Sequence, residues 1–260
     1  MDSGFKPMDF DPKDYLNTYY SATAGGFGDD NYLKFILANL HKTFSSGDVK
    51  GDLPIDIGSG PTIYQIMSAC VCFEDIIVTD LIEQNHLEVK RWLENKPGAF
   101  DWTPTGKIVC EMEGDRNKWP EKEKQIRAKV KKVLTCDVLK TNPWEPIILP
   151  QADCLLSMLC LEAACLDKAS FDRALKNITS HLKIGGHLVL GGVLGCVSWM
   201  SGEKEFPSLC LDEDFLRSSL TKCGYAVREL ALEPVGEKCN KSICNYDANF
   251  FILAQKLKAT

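Results

Sequence analysis

Apolar positions change their spacing several times along the chain, and each change marks an element. Leu33, Ile36, Leu37 and Leu40 recur at three and four, which predicts a helix over about 31–44, and a shorter helical pattern precedes it over 12–20. Between the two, Ala24-Gly25-Gly26-Phe27-Gly28 forms a flexible joint. Past a turn at 45–52 the pattern tightens into short apolar runs. Leu53 to Ile57 predicts a buried strand ending in Gly58-Ser59-Gly60, after which Pro61 stands where a helix begins. Strands are further predicted at 76–80, at 132–136 closing on Asp137, and at 153–158, with helices over 83–93 and 170–182. Gly185-Gly186 then turns into a fifth strand over 187–190.

Strands alternating with helices imply a parallel sheet covered on both faces, since parallel neighbours need a crossover connection. The tail breaks this alternation with a hairpin about Ser201-Gly202, a helix over 212–222, and apolar runs at 226–232 and 249–254 that suit closing strands. The expected fold is α/β, a doubly wound mixed sheet with an antiparallel end. No internal repeat, low-complexity tract or Pro/Ser-rich linker divides the chain. One domain over 1–260 is therefore expected, with 1–45 as an N-terminal helical cap and 46–260 as the core.

Composition narrows the partners. With 45% hydrophobic and 25% charged residues the chain has the balance of a globular protein. Thirty lysines and arginines against 36 aspartates and glutamates leave a net charge of −6, which gives no global attraction to nucleic acid or to an anionic membrane. The most basic stretch, 121–132, has Ile126, Val130, Val133 and Leu134 as an apolar stripe and no interleaved aromatics, so a solvated helix face is expected there. The first residues carry no apolar leader segment, and no stretch reaches the ~18 uninterrupted apolar residues of a spanning helix. A cytoplasmic protein is expected. The twelve cysteines are scattered, none in CxxC spacing, and the four histidines form no HExxH pattern. Reduced thiols and no metal site follow.

The chemistry concentrates in Asp56-Ile57-Gly58-Ser59-Gly60-Pro61-Thr62, at the carboxyl end of the first strand, where open α/β sheets bind ligands. A dinucleotide fingerprint needs a third glycine where Ile63 stands, and no Lys-Ser or Lys-Thr completes a P-loop. Twenty residues after Gly60, Asp80 ends the second strand, placed to accept from both hydroxyls of a ribose. Asp137 can accept from an adenine amino group, and Asp56 can meet a ligand ammonium directly or through water. Together they point to S-adenosylmethionine, the alternative for each acid being a helix cap or a solvated loop.

These residues resemble the small-molecule amine N-methyltransferases, a family including nicotinamide, indolethylamine and phenylethanolamine N-methyltransferases. The resemblance runs over essentially the whole chain. It is carried by Asp14-Tyr15-Leu16 with Tyr19-Tyr20-Ser21, by Asp56 to Gln65, by Pro97-Gly98-Ala99-Phe100-Asp101-Trp102, and by Cys136-Asp137-Val138. The segment from Leu159 to Ala163 and the turn Gly185-Gly186-His187-Leu188 agree. It implies a class I S-adenosylmethionine-dependent methyltransferase fold, Rossmann-like, whose cofactor site takes in Tyr15, Tyr20, Asp56, Gly58, Ser59, Gly60, Thr62, Tyr64, Asp80, Asn85, Asp137 and Val138. Tyr15 and Tyr20 would act as a lid, and Cys136 as a packed residue without thiol chemistry.

For the methyl acceptor the resemblance implies Glu162 as the amine-contacting, proton-shuttling carboxylate and a pocket of Tyr19, Leu159, Val193 and Trp199. The chain departs from its relatives at Gly192, where nicotinamide enzymes carry an aspartate, and at Cys196, where phenylethanolamine enzymes carry a second acid. Asn240 falls near another pocket aromatic of the relatives. An apolar pocket of this kind suits an indole or other aryl group better than a carboxamide. The expected activity is transfer of a methyl group from S-adenosylmethionine to the nitrogen of a small aromatic amine of indolethylamine type, by a monomer. The alternatives are methylation of nicotinamide, other pyridines or thioethers, an S-adenosylmethionine-binding protein without turnover, and a nicotinamide-dinucleotide oxidoreductase.

Overall fold

The computed structural model describes residues 9–21, 32–236 and 241–258; the glycine joint at 24–28 and Asn240 lie outside the described residues. Helix α1 (Pro12–Tyr19) starts on Asp11, whose carboxylate accepts from the Lys13 and Asp14 amides, with Pro12 at a position that needs no N–H. Helix α2 (Tyr32–Ser45) buries Leu33, Ile36, Leu37 and Leu40 as their spacing requires. There follow β1 (Pro54–Ile57), α3 (Tyr64–Met67), β2 (Ile76–Asp80), α4 (Glu83–Leu93), α5 (Thr103–Met112), α6 (Trp119–Lys129), β3 (Val130–Thr135) and β4 (Ala152–Met158). The chain continues through α7 (Leu161–Ala164), α8 (Lys168–Thr179), β5 (Leu182–Leu194), a hairpin of β6 (Ser198–Ser201) and β7 (Lys204–Pro207), α9 (Glu213–Lys222), β8 (Tyr225–Pro234) and β9 (Ala248–Lys256).

Seven strands form one sheet in the order β3-β2-β1-β4-β5-β9-β8. The five from β3 to β5 are parallel, and β9 and β8 close the sheet antiparallel. Both faces are covered. Ile55, Ile57, Leu155 and Leu188 pack with α8 and α9 residues such as Leu175 and Leu216, whereas Val78, Leu156 and Val189 pack with Ile36, Leu40 and Val109 on the other side. Alternate residues of each strand thus feed opposite layers, which is why β1 and β2 are buried throughout. Strand order reverses at β1, which lies between β2 and β4. A crevice opens there beyond the strands' carboxyl ends.

Several expectations need correction. The 121–132 stripe is not one helical face: α6 stops at Lys129, and Val130, Val133 and Leu134 belong to the edge strand β3, paired with β2. Pro61 does not open a helix, because Thr62 and Gln65 side chains both donate to the Ser59 carbonyl and hold a turn until Tyr64. The expected helix over 170–182 ends at Thr179, and Leu182 already pairs with Ala152 in β5. β5 is far longer than 187–190, with a register break at Ala152/Cys154 that absorbs the Gly185-Gly186 turn. Helix α5 was not legible in the apolar pattern. Among the described residues no helix is long and apolar enough to cross a membrane.

Candidate active site

The loop leaving β1 rests on two glycines for different reasons. Gly58 has φ +65°, and a Cβ there would lie 2.1 Å from the Cys160 sulfur, so the loop passes directly against the residues following β4. Gly60 has φ +60°, but its Cβ would meet nothing within 4 Å. One glycine serves packing, and the other leaves open space in front of the backbone. The Asp80 carboxylate fastens the loop by accepting from the Gly60 amide (2.8 Å), the Ile82 amide (2.8 Å) and Asn85 Nδ2 (2.9 Å). Burial pushes the Asp80 carboxyl up while these three donors pull it down, and the net shift is upward.

Asp56 sits within β1 rather than at its end, fully buried, and neither carboxylate oxygen has a hydrogen-bond partner among the described residues. Burial first, and then the charge of Asp80, push its carboxyl well above the usual range. Asp137 lies two residues past β3, half-exposed, and accepts from the Leu139 amide at 3.0 Å. The Cys136 amide donates to the Asp80 carbonyl at 2.8 Å, tying the ends of β2 and β3 together.

Aromatic rings roof the crevice. Tyr20 stacks on Tyr64 with centroids 5.5 Å apart, and Tyr15 lies 5.7 Å from both Tyr20 and Trp199. Tyr19 donates its hydroxyl to the Met200 carbonyl at 2.7 Å, which joins α1 to β6. Trp199 stacks on Phe206 at 4.8 Å across the β6/β7 hairpin. Burial holds the Tyr15 and Tyr20 phenols well above their ordinary range, so both remain hydroxyl donors at neutral pH.

Glu162 comes from α7, just after β4. The connection turns through Leu159, whose φ of +55° is left-handed for a residue with a Cβ, and its amide donates to the Gly191 carbonyl at 2.9 Å. Glu162 is 4% exposed, and its Oε1 has no hydrogen-bond partner among the described residues. Burial pushes its carboxyl up to about 8 against the pull of the Glu162 and Val193 amides, with charge at Cys196 adding to the rise. Gly192 of β5 lies opposite: a Cβ there would fall 2.3 Å from Glu162 Oε1 and 2.9 Å from the Phe250 ring. The missing side chain at 192 is the room that the glutamate fills.

Most of these groups face one cavity of about 180 Å³ at the switch point, more than ten times the ~10–15 Å³ that one water requires. Every site residue expected from the sequence lines it except Asp56, which is buried behind the loop. Phe10, Met158, Cys160, Cys196, Ser208 and Cys244 line it as well, although the sequence marked none of them as binding residues. Cys244 and Ser208 carry no local motif, and only the strand pairing brings them in. Among the described residues no group of three or more His, Cys, Asp or Glu side chains is placed to hold a metal ion.

The sequence model of the NNMT/PNMT/TEMT family matches residues 5–257. Over 262 residues the chain is 44% identical to nicotinamide N-methyltransferase of Homo sapiens, covering 99% of this chain and 98% of that protein. It is 42% identical to indolethylamine N-methyltransferase of Oryctolagus cuniculus, with 98% of each chain covered, and 41% identical to phenylethanolamine N-methyltransferase of Homo sapiens, with 95% and 89% covered. Among solved structures, the magnesium protoporphyrin IX methyltransferase of Synechocystis PCC 6803 with bound S-adenosylmethionine superimposes with a TM-score of 0.57 at 11% identity, covering 95% of this chain and 98% of that one. At that identity the likeness is one of fold.

Proposed function

This chain belongs to the NNMT/PNMT/TEMT family of S-adenosylmethionine-dependent methyltransferases, and from that premise we propose that its acceptor is the nitrogen of a small aromatic amine of indolethylamine type. The observation that carries the proposal is Glu162, a buried carboxyl in an aromatic-walled cavity whose Oε1 has no hydrogen-bond partner among the described residues.

The residues around the glycine loop fit the cofactor. The space before Gly60 is what a Cβ would fill, and Asn85 Oδ1 and both Asp56 oxygens are buried polar atoms with no hydrogen-bond partner among the described residues. In this reading Asp80 accepts from the ribose hydroxyls, Asp137 from the adenine amino group, and the Tyr15 and Tyr20 phenols donate to the carboxylate. Asp56 acts from behind the loop through water. The bound cofactor supplies an electrophilic methyl group on a sulfonium, open to in-line displacement.

Glu162 and the aromatic walls orient and deprotonate the acceptor. An ammonium entering the cavity pairs with the Glu162 carboxylate. Moving one proton from nitrogen to Oε1 then leaves a neutral amine beside a neutral carboxylic acid, which an apolar site favours over two buried charges. The nitrogen lone pair freed by that step is the nucleophile. Trp199, Tyr15 and Phe10 offer ring faces to an aryl group, and holding both reactants in line can lower the barrier by about 7–11 kcal/mol. No covalent intermediate on the protein is needed.

The test is a parallel assay of tryptamine, nicotinamide and dimethyl sulfide with labelled S-adenosylmethionine, products identified by mass spectrometry. Tryptamine should be the preferred acceptor by kcat/KM. Turnover confined to dimethyl sulfide or to nicotinamide overturns the amine assignment.

A further inference from the structure

Two thiols from distant parts of the chain meet at the acceptor end of the cavity. Cys196 follows β5 and Cys244 precedes β9; their sulfurs are 3.5 Å apart, and both line the cavity. Their backbones are fixed on either side: Cys244 bridges to Trp199, and the Met200 amide donates to the Ile243 carbonyl at 2.8 Å. Cys196 Sγ also contacts the Ser198 carbonyl at 3.2 Å. The mechanism of methyl transfer uses neither thiol.

We infer that Cys196 and Cys244 form a reversible modification site, a dithiol that a hydroperoxide converts to a disulfide across the acceptor pocket. The two sulfurs are already in contact at 3.5 Å, and the bond would bring them to ~2.05 Å. Burial pushes Cys70 up to about 11 and Cys136 and Cys165 to about 12, whereas the contact with Cys244, helped by Ser208, shifts Cys196 down despite its burial. In this proposal Cys196, whose Sγ lies between Cys244 Sγ and the Ser198 carbonyl, is the attacking sulfur and Cys244 the resolving one.

The step balances without help from the cofactor. The Cys196 thiolate attacks one peroxide oxygen, the O–O bond breaks, and the departing hydroxide takes a proton to become water. Cys244 then attacks the resulting sulfenic sulfur, the S–O bond breaks, and a second water leaves. The dithiol is oxidised by two electrons and the peroxide reduced by two. A small dithiol reductant reverses it.

The disulfide ties the chain after β5 to the chain before β9 beside Trp199, Tyr19 and Glu162. This consequence rests on the proposed function: the aryl end of the pocket narrows while the glycine loop, Asp80 and Tyr20 are untouched. Acceptor binding should suffer and cofactor binding should not.

The full chain is treated with hydrogen peroxide, alkylated with iodoacetamide and digested without reduction. A Cys196–Cys244 cross-linked peptide should appear and should vanish on dithiothreitol treatment. The tryptamine KM should rise by about tenfold, with S-adenosylmethionine affinity by calorimetry changed less than about twofold. In Cys244→Ser the cross-link should be lost and Cys196 should become reactive to dimedone, the mark of a stranded sulfenic acid. Recovery of Cys196 and Cys244 as separate alkylated peptides after peroxide overturns the site. A cross-link that leaves acceptor KM unchanged overturns its effect on the pocket. If tryptamine is not turned over at all, the amine assignment fails while the cross-linked peptide still decides the site.

Discussion

At the scale of single residues, the chemistry proposed for this methyltransferase turns on the proton of Glu162. Its carboxyl is pushed up to about 8 because burial penalises the charge, so at neutral pH it is mostly uncharged. Amine binding needs the carboxylate, and kcat/KM for an amine should therefore climb with pH through a limb centred near 8. Glu162→Gln should remove that limb, raise the acceptor KM by about tenfold or more, and leave cofactor affinity nearly unchanged. Stability carries an independent signature. Between 4.5, where an ordinary glutamate ionises, and about 8, the folded protein keeps a proton that the unfolded chain has released. This contribution is complete below that interval and is lost as pH rises through it, by an amount of the order of a few kcal/mol. Calorimetric melts of Glu162→Gln and the parent should converge below about pH 4.5 and separate at pH 8 with the variant higher. A gap equal at both pH values counts against the buried proton. Glu162 was legible in Leu159-Cys160-Leu161-Glu162-Ala163 through family resemblance; its unpartnered oxygen and its acidity were not, since both depend on what surrounds it in space.

At the scale of elements, β5 decides what occupies the pocket. Its apolar run over 187–190 is visible in the sequence, but the strand extends to Leu194 because β9 pairs with it from His187↔Gln255 to Leu194↔Ala248 and satisfies its backbone groups. That extension carries Gly192 opposite Glu162 and delivers Cys196 to the cavity. Gly192→Ala should push the carboxylate aside: acceptor KM rises, cofactor affinity stays, and stability falls by roughly 1–3 kcal/mol from overpacking against Phe250. Equal loss of acceptor and cofactor binding on titration would show that the strand, rather than the glutamate, had been displaced. Helix α5 was missed for a related reason. Its buried residues, Thr105, Gly106, Val109 and Cys110, include few large apolar side chains, so its helical period is faint until Trp119 and the neighbouring helices supply the other half of the packing.

At the scale of the whole molecule, the reversal of strand order at β1 gathers α1, the glycine loop, the end of β2, α7 and the β6/β7 hairpin around one crevice. One continuous sheet with two covered faces should melt as one cooperative unit. S-adenosylmethionine should raise that transition by mass action. Asp80→Ala, which releases Gly60, Ile82 and Asn85 together, should abolish most of the rise, as differential scanning fluorimetry would register; an undiminished rise refutes the assignment of the loop.

The sequence by itself determined the alternation of strands and helices, the glycine loop with its acids, and the family, because spacing and short-range turn chemistry are written locally. Tertiary structure alone decided the rest. It withdrew Asp56 from the cavity wall, split the stripe at 121–132 between a helix and an edge strand, and brought Cys244 and Ser208 to a pocket begun by residues far away along the chain. Those outcomes depend on strand pairing and on burial, which couple residues by distance in space rather than by separation along the chain.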